Sequence, residues 1–369
     1  PLSVSGRINK RNSIRVSVRD SHSKGIVPNS PSNMQHISLR TRNEIAKWFT
    51  SEVSLNYRRN QRDNIPVSSG YSAGAGIMYS LWCYAPNIDM DWAKHYWNDG
   101  QEGVQQDSSL SGGKNNAYFI ANESINTQNR DRIYGNVKFD FNIYKGLTLM
   151  VRGGLDSQYD FRTQRYATST QSDPNGFYRE QMIRSMQYSG EFLFRYTHDF
   201  KGDFNLTANF GGSMVNRQYE KHEQWADNLK NPSVYTLANA ASLVKTDNHR
   251  EKRQTNSLYG LVQLSWRNAL FLDITGRNDW SSTLPAENRS YFYPSVSGSV
   301  VINELADFGS KNGLLNLFKV RASWAQVGHD TKPYRIEEYL QSTLFPGNVT
   351  TQDKKVNSNL KPEMVSSFE

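Results

Sequence analysis

The chain has 369 residues, a formal net charge of +8, a hydrophobic fraction of 37% and a mean hydropathy of −0.72. Its apolar runs stop short of the about 18–20 residues of a membrane-spanning helix, and Cys83, its one cysteine, excludes an internal disulfide and a multi-cysteine metal site. Lysine and arginine are interleaved with aspartate, serine and asparagine rather than gathered in a basic stripe, which argues against nucleic-acid binding.

The first element is a period-two stretch in which Ile14, Val16 and Val18 alternate with Ser13, Arg15, Ser17 and Arg19. Successive strand side chains point to opposite faces, so the pattern predicts one apolar and one polar face. Phe49, Val53, Leu55 and Tyr57 repeat it, and residues 1–60 read as strands. Residues 61–128 form a long excursion with Pro66, Pro86 and five clustered aromatics, Trp82, Tyr84, Trp92, Tyr96 and Trp97. Excursions of this length are functional or disordered, and the aromatics argue against disorder. These rings either contact a ligand or partner or pack the loop's own small core. Residues 91–97 are a candidate short helix.

From residue 129 onwards the strands return. Ile133, Val137, Phe139, Phe141 and Ile143 alternate with Arg132, Asn136, Lys138, Asp140 and Asn142. Leu147, Leu149, Val151 and Leu155 follow, set against Thr148, Arg152 and Asp156. Phe192 and Phe194 alternate with Glu191 and Arg195, then Leu206 and Phe210 with Asn205 and Asn209. Leu258, Val262, Leu264, Leu272 and Ile274 stand against Asp273 and Arg277, and Val320 and Trp324 against Arg321 and Ser323. Helical spacing would mix Asp and Arg into each apolar stripe.

Connection length sharpens the architecture. Short turns at 45–47, 144–146, 199–203 and 267–269 take turns with long connections at 21–33, 61–128, 166–177, 221–250, 283–290 and 330–360. Up-and-down membrane barrels have short turns on the periplasmic side and long loops outside, whereas a Greek-key sandwich has no reason to sort its loops. The expected fold is all-β: an antiparallel, up-and-down transmembrane β-barrel of about a dozen strands, with 61–128 an extracellular excursion and 129–369 further barrel strands. Val137, Phe139, Phe141, Leu149, Val151, Phe192, Phe194, Leu206, Phe210, Leu264, Leu272 and Val320 are expected to face lipid. Asn136, Lys138, Asp140, Arg152, Arg195, Asn209, Asp273, Arg277 and Arg321 are expected to face the lumen. Trp48, Phe49, Tyr144, Phe200, Phe204, Trp266, Phe271 and Phe318 flank the short turns, as a membrane-boundary girdle would or as ordinary strand enrichment would; Tyr144 and Phe271 fall out of phase with the apolar face.

Catalytic chemistry has no signature here. The seven histidines, at 22, 36, 95, 198, 222, 249 and 329, include no HExxH pair. Asp89, Asp91 and Asp99 lack calcium-loop spacing and read as solvated loop acids. No catalytic residue, cofactor or metal is expected.

The stretch from Gly276 through Arg277-Asn278-Asp279-Trp280-Ser281-Ser282 to Tyr291-Phe292-Tyr293-Pro294-Ser295-Val296-Ser297-Gly298 resembles the R-x-D-x-S-S … F-x-P-S-x-S segment of SusC/RagA-type TonB-linked outer-membrane proteins. Lys319 to Gly328 is similar to that family's K-x-R-x-S-x-x-x-x-G strand, Asn359-Leu360-Lys361-Pro362-Glu363 to its N-L-K-P-E strand start, and Asn129 to Asn136 to its R-D-R-x-x-G-N strand start. His329-Asp330 departs from the usual Asn after the glycine, and the aromatic often seen after P-S-x-S-x-G is missing. The resemblance implies a nutrient importer in a Gram-negative outer membrane, with a barrel of about 22 strands, a plug and TonB box outside this chain, and roughly half the barrel within it. It further implies coupling to the TonB complex, a SusD-like surface lipoprotein as partner, and an oligosaccharide or peptide as substrate. The rival readings are a complete smaller barrel acting as pore or enzyme, which a seam between first and last strands would favour, and a soluble β-sandwich adhesin.

Overall fold

The computed structural model describes residues 1–66, 76–200, 203–305, 317–343, 347–351 and 355–369. Parts of the connections expected at 61–128, 199–203 and 330–360 lie outside those residues. Among the described residues the first strands are β1 (Leu2–Arg7), β2 (Asn12–Lys24), β3 (Pro31–Ala46), β4 (Phe49–Arg62), β5 (Asn126–Tyr144), β6 (Leu147–Thr168) and β7 (Asn175–Phe200). They are followed by β8 (Phe204–Ala226), β9 (Lys245–Trp266), β10 (Leu270–Ser281), β11 (Ser290–Val301), β12 (Lys319–His329), β13 (Gln341–Ser342), β14 (Val349–Thr350) and β15 (Glu363–Phe368). Strands β1 to β12 and β15 form one 13-stranded sheet in sequence order, and β13 pairs only with β14. Every pairing is antiparallel, as in an up-and-down barrel wall. The edges β1 and β15 are not paired with each other, so the sheet stays open.

Register sorts the side chains into two faces. Phe49, Phe141, Leu149, Phe194 and Phe210 lie opposite one another across five strands. Phe139, Val151 and Phe192 form the adjacent row, and Leu206, Leu264 and Leu272 another. The intervening rows on the other face carry Glu52, Lys138, Arg152 and Glu191, then Arg195 and Asn209. Phe139 and Lys138 therefore project from opposite faces. The apolar face is unusually bare for a folded protein: Phe210 is 53% exposed and Val320 50%. No helix among the described residues is long and apolar enough to cross a membrane, which says nothing against crossing by strands.

Two bulges adjust the ends near the short turns. A register shift between Asn142 and Tyr144 sets Tyr144 opposite Leu147, which itself faces Tyr196. The bulge returns the Tyr144 ring to the apolar face from which uninterrupted alternation excludes it. A second shift between Glu44 and Ala46 keeps Ala46 in the ladder opposite Phe49, so the turn expected at 45–47 falls at Lys47 and Trp48. Trp48 then stacks on Phe49 and Phe141, at 5.7 and 6.3 Å between ring centroids. Phe271 stays on the polar face, opposite Ser265 and Ser299, with the Lys319 ammonium 5.8 Å from its ring centre.

Several strands run further than expected. β7 has 26 residues and β8 has 23, against the about 9–11 that a tilted strand needs to cross a bilayer. The segments 166–177 and 221–250, expected as loops, are ladder at both ends: Arg217 to Trp225 pair residue by residue with Arg253 to Lys245. Past the bilayer neither face meets lipid, so polar residues occupy both and the period-two contrast disappears while backbone pairing continues. The loops proper shrink to 169–174 and 227–244.

The packed apolar core lies in the excursion between β4 and β5 and against the outer end of β6. Ile77, Ala117, Phe119, Ile120, Ala121 and Ala167 form a buried cluster, with Val27, Leu81, Tyr84, Tyr96 and Trp97 packed against it.

Candidate functional site

The excursion leaves the sheet where Arg62 faces Gln128, at the end of β4 and β5 remote from the Lys145-Gly146 turn. Among its described residues it holds three short helices, α1 (Ile77–Trp82), α2 (Met90–Ala93) and α3 (Ala117–Glu123). Each polar residue at a helix start has a local task. The Asp89 carboxylate accepts from the Asp91 amide at 2.9 Å and Asn116 Oδ1 from the Tyr118 amide at 2.9 Å, satisfying first-turn N–H groups that have no helical partner. The helix expected over 91–97 is only the four-residue α2, because the chain beyond Lys94 turns into an extended pairing of Trp97 with Gln106.

Buried amides staple the excursion to neighbouring loops. Gln106 Nε2 donates to Asn115 Oδ1 at 2.8 Å, its backbone N–H to Ser169 Oγ at 3.2 Å, and its Oε1 accepts from the Asn116 N–H at 2.9 Å. Asn64 and Asn29 both donate to the Ala121 carbonyl, at 3.2 and 3.3 Å. The loops 25–30 and 169–174 are thereby tied to α3 from two sides. Sequence reasoning missed these groups, since Asn and Gln in a loop look alike whether solvated or buried.

The five aromatics divide. Tyr84 accepts from the Ala117 amide at 3.0 Å, and burial pushes its phenol pKa up. Tyr96 donates to Glu123 at 3.2 Å, and burial also raises its pKa. Trp97 meets Phe119 edge-on at 5.1 Å. These three build the loop core. Trp82 and Trp92 stand 68% and 62% exposed. Asp91 is ion-paired with Lys94, which holds its carboxyl below the usual range, and no group of three or more metal-ligating side chains exists among the described residues.

The polar face of the sheet is a lattice of charge pairs. Lys138 lies 3.1 Å from Glu52 and 3.0 Å from Asp140. Arg152 pairs with Glu191, which also accepts from the Tyr259 hydroxyl at 2.6 Å. Gln263 donates to Asp273 at 3.0 Å. Arg277 bonds Asp279 at 2.8 Å, and Tyr293 donates to the same carboxylate at 2.6 Å. Arg321 pairs with Glu369, while Arg195 is exposed and has no partner among the described residues. The structure thus brings Arg152 and Arg277 together around Tyr259, and leaves Arg195 and Arg321 apart from that group.

Two buried carboxylates escaped the sequence reading. Asp160 is fully buried beneath Arg130 and Arg162. Asp330, 5% exposed, accepts from Arg253 at 2.5 Å and from Thr283 at 3.1 Å, and also from Ser281. Only Asp330 had a signal, because His329-Asp330 is where the strand motif departs from its usual form.

Residues 85–369 match the family model described as TonB dependent receptor-like, beta-barrel. TonB-dependent receptor P26 of Formosa agariphila is 24% identical over 270 residues, covering 68% of this chain and 27% of that protein. TonB-dependent receptor P3 of the same organism is 22% identical, covering 84% of this chain and 31% of that protein, so the chain spans about a third or less of these relatives. Among solved structures, the RagAB peptide transporter superposes with a TM-score of 0.80 at 18% identity over 99% of this chain and 41% of that one. The siderophore receptor PiuA from Acinetobacter baumannii superposes with a TM-score of 0.54 at 10% identity, over 99% of this chain and 51% of that one. An open meander with one apolar and one charge-paired face, and a family match over most of its length, make this chain a member of the TonB-dependent receptor family of Gram-negative outer-membrane β-barrels.

Proposed function

We propose that the chain forms part of the barrel wall of an outer-membrane importer that takes up oligomeric nutrients, a glycan or a peptide, under TonB control. The carrying observation is the two-faced sheet: one face is a continuous apolar surface for lipid, and the other is a lattice of charge pairs suited to a wet lumen. In this reading Phe139, Val151, Phe194 and Leu272 face lipid, and Lys138, Asp140, Arg152, Arg195, Asp273, Arg277 and Arg321 face the lumen. The excursion at 63–125 caps the extracellular rim. Its exposed Trp82 and Trp92 offer apolar faces to the substrate or to a SusD-like lipoprotein lid, and the fold shared with the RagAB peptide transporter supports such a lid.

The test is uptake by cells carrying the full-length protein. Accumulation of labelled peptide and glycan oligomers should require both this protein and an energised TonB complex. Uptake that persists without TonB, or growth on oligomer mixtures that is unchanged when the protein is deleted, would overturn the reading.

A further inference from the structure

We propose that the polar face carries, at the outer ends of β4 to β7, a carboxylate-binding subsite made by Arg62, Arg130, Arg162 and Arg179 that selects acidic peptides. The inference rests on the importer reading and adds the chemistry of the substrate. The four guanidiniums line a pocket of about 410 Å³ together with Asn126, Gln128, Gln164 and Gln181. That volume is within the about 300–1,000 Å³ of small-molecule sites. Register places them on one face: Arg62, Gln128, Arg162 and Gln181 form one row, and Asn126, Gln164 and Arg179 the next but one.

No carboxylate lines the pocket, yet one stands behind it. Asp160, fully buried, accepts from Arg130 Nε and Nη2 at 3.1 and 2.8 Å, from Arg162 Nε and Nη2 at 3.1 and 2.7 Å, and from Gln128 at 2.9 Å. All five contacts fall on Oδ2, which fixes both guanidinium planes. Neither Nη1 group bonds any described residue. Arg179 lies 3.9 Å from Glu223, but Lys221 approaches that carboxylate at 2.9 Å. Arg62 has no partner among the described residues and is exposed. Three of the four guanidiniums therefore share two carboxylates, Arg62 has none, and Lys221 competes for one of the two. The surplus positive charge and the pre-oriented forks match an incoming carboxylate, which accepts two parallel N–H bonds from a guanidinium. The surrounding amides each carry donor and acceptor groups of the peptide-bond kind. No aromatic ring lines the pocket to stack on a sugar.

The experiment uses the full-length transporter in detergent, titrated calorimetrically with a pentapeptide of alternating alanine and aspartate, its asparagine counterpart, and tetragalacturonate. The aspartate peptide should bind about tenfold more tightly than the asparagine peptide, as expected for one strong charge-assisted contact, and the gap should shrink with added salt. Arg62→Gln should narrow the preference and Arg62→Glu abolish it, with unfolding profiles unchanged. Equal affinity for the two peptides overturns the proposal, as does a preference that survives Arg62→Glu. Tighter binding of tetragalacturonate with the same Arg62 dependence overturns the peptide assignment. An Arg62→Glu protein with altered melting but unaltered preference marks the cluster as a structural contact within the transporter and overturns the subsite. TonB-dependent uptake of both peptides without preference sinks this inference and leaves the importer reading standing; absence of TonB-dependent uptake of any oligomer sinks both.

Discussion

Single side chains carry different weights on the two faces of this sheet. Phe139 sits between Ser51 and Val151 on the apolar face, in the strand segment next to the Trp48 cluster. Phe139→Arg in the full barrel should destabilise it by about 2–4 kcal/mol, the cost of a cationic side chain near the bilayer midplane. Lys138→Ala, one residue away, should cost below about 1 kcal/mol, since its ion pairs are partly solvated. Denaturant titration in lipid vesicles compares the two, and equal costs would refute the assignment of faces. Asp330 makes a second contrast. Asp330→Ala strands Arg253, Ser281 and Thr283 without their shared acceptor, so a loss of about 1–3 kcal/mol is expected. Asp330→Asn keeps an acceptor oxygen and should lose less; a melting series on the two variants checks the order. In the excursion, Trp97→Ala should open the loop core to limited proteolysis, because it removes the edge contact with Phe119. The double change Trp82→Ala and Trp92→Ala should leave proteolysis unchanged and weaken substrate or lid binding, as both rings lie outside the core.

The excursion and the strands that hold it are separable elements. Arg62 and Gln128 are already cross-strand neighbours, so a short turn can replace residues 63–125 without stretching the ladder. The shortened transporter should still insert, as heat-modifiable migration on a gel would show, while uptake falls; unchanged uptake and unchanged lipoprotein association would remove the loop from the mechanism. Legibility in the sequence followed the solvent. Ile133 to Ile143 declared its strand because its apolar and polar side chains fall on opposite faces. Lys221 to Trp225 is equally well paired but shows no apolar alternation, so that stretch was read as loop. Tyr144 was out of phase because a bulge leaves no mark in composition. Gln106, Asn115 and Asn116 were invisible because an amide's task depends on partners far away in sequence. Of the site, Arg152 and Arg277 were found by alternation, whereas Asp160 and Arg162 lie in the outer stretch where alternation is silent.

At the scale of the whole molecule, the sheet has strand edges at β1 and β15 and an apolar face with no protein covering it. Isolated in plain buffer, this chain should aggregate through its edges and its apolar surface. Monodisperse, cooperatively melting material without detergent, judged by light scattering and calorimetry, would contradict the barrel-wall reading. The height of the wall has a kinetic consequence. A strand of 26 residues, rising about 3.3 Å per residue at a tilt near 45°, climbs about 60 Å, roughly twice the hydrocarbon thickness. In the importer reading, a ligand released at the level of the membrane, below the Arg62–Arg179 subsite, therefore starts its escape at the bottom of a well about 30 Å deep, where it meets the same inner surface repeatedly before reaching open medium. Bound label should wash out more slowly on simple dilution than when an unlabelled competitor is present to occupy each vacated position, and equal rates would mean that the wall does not delay departure.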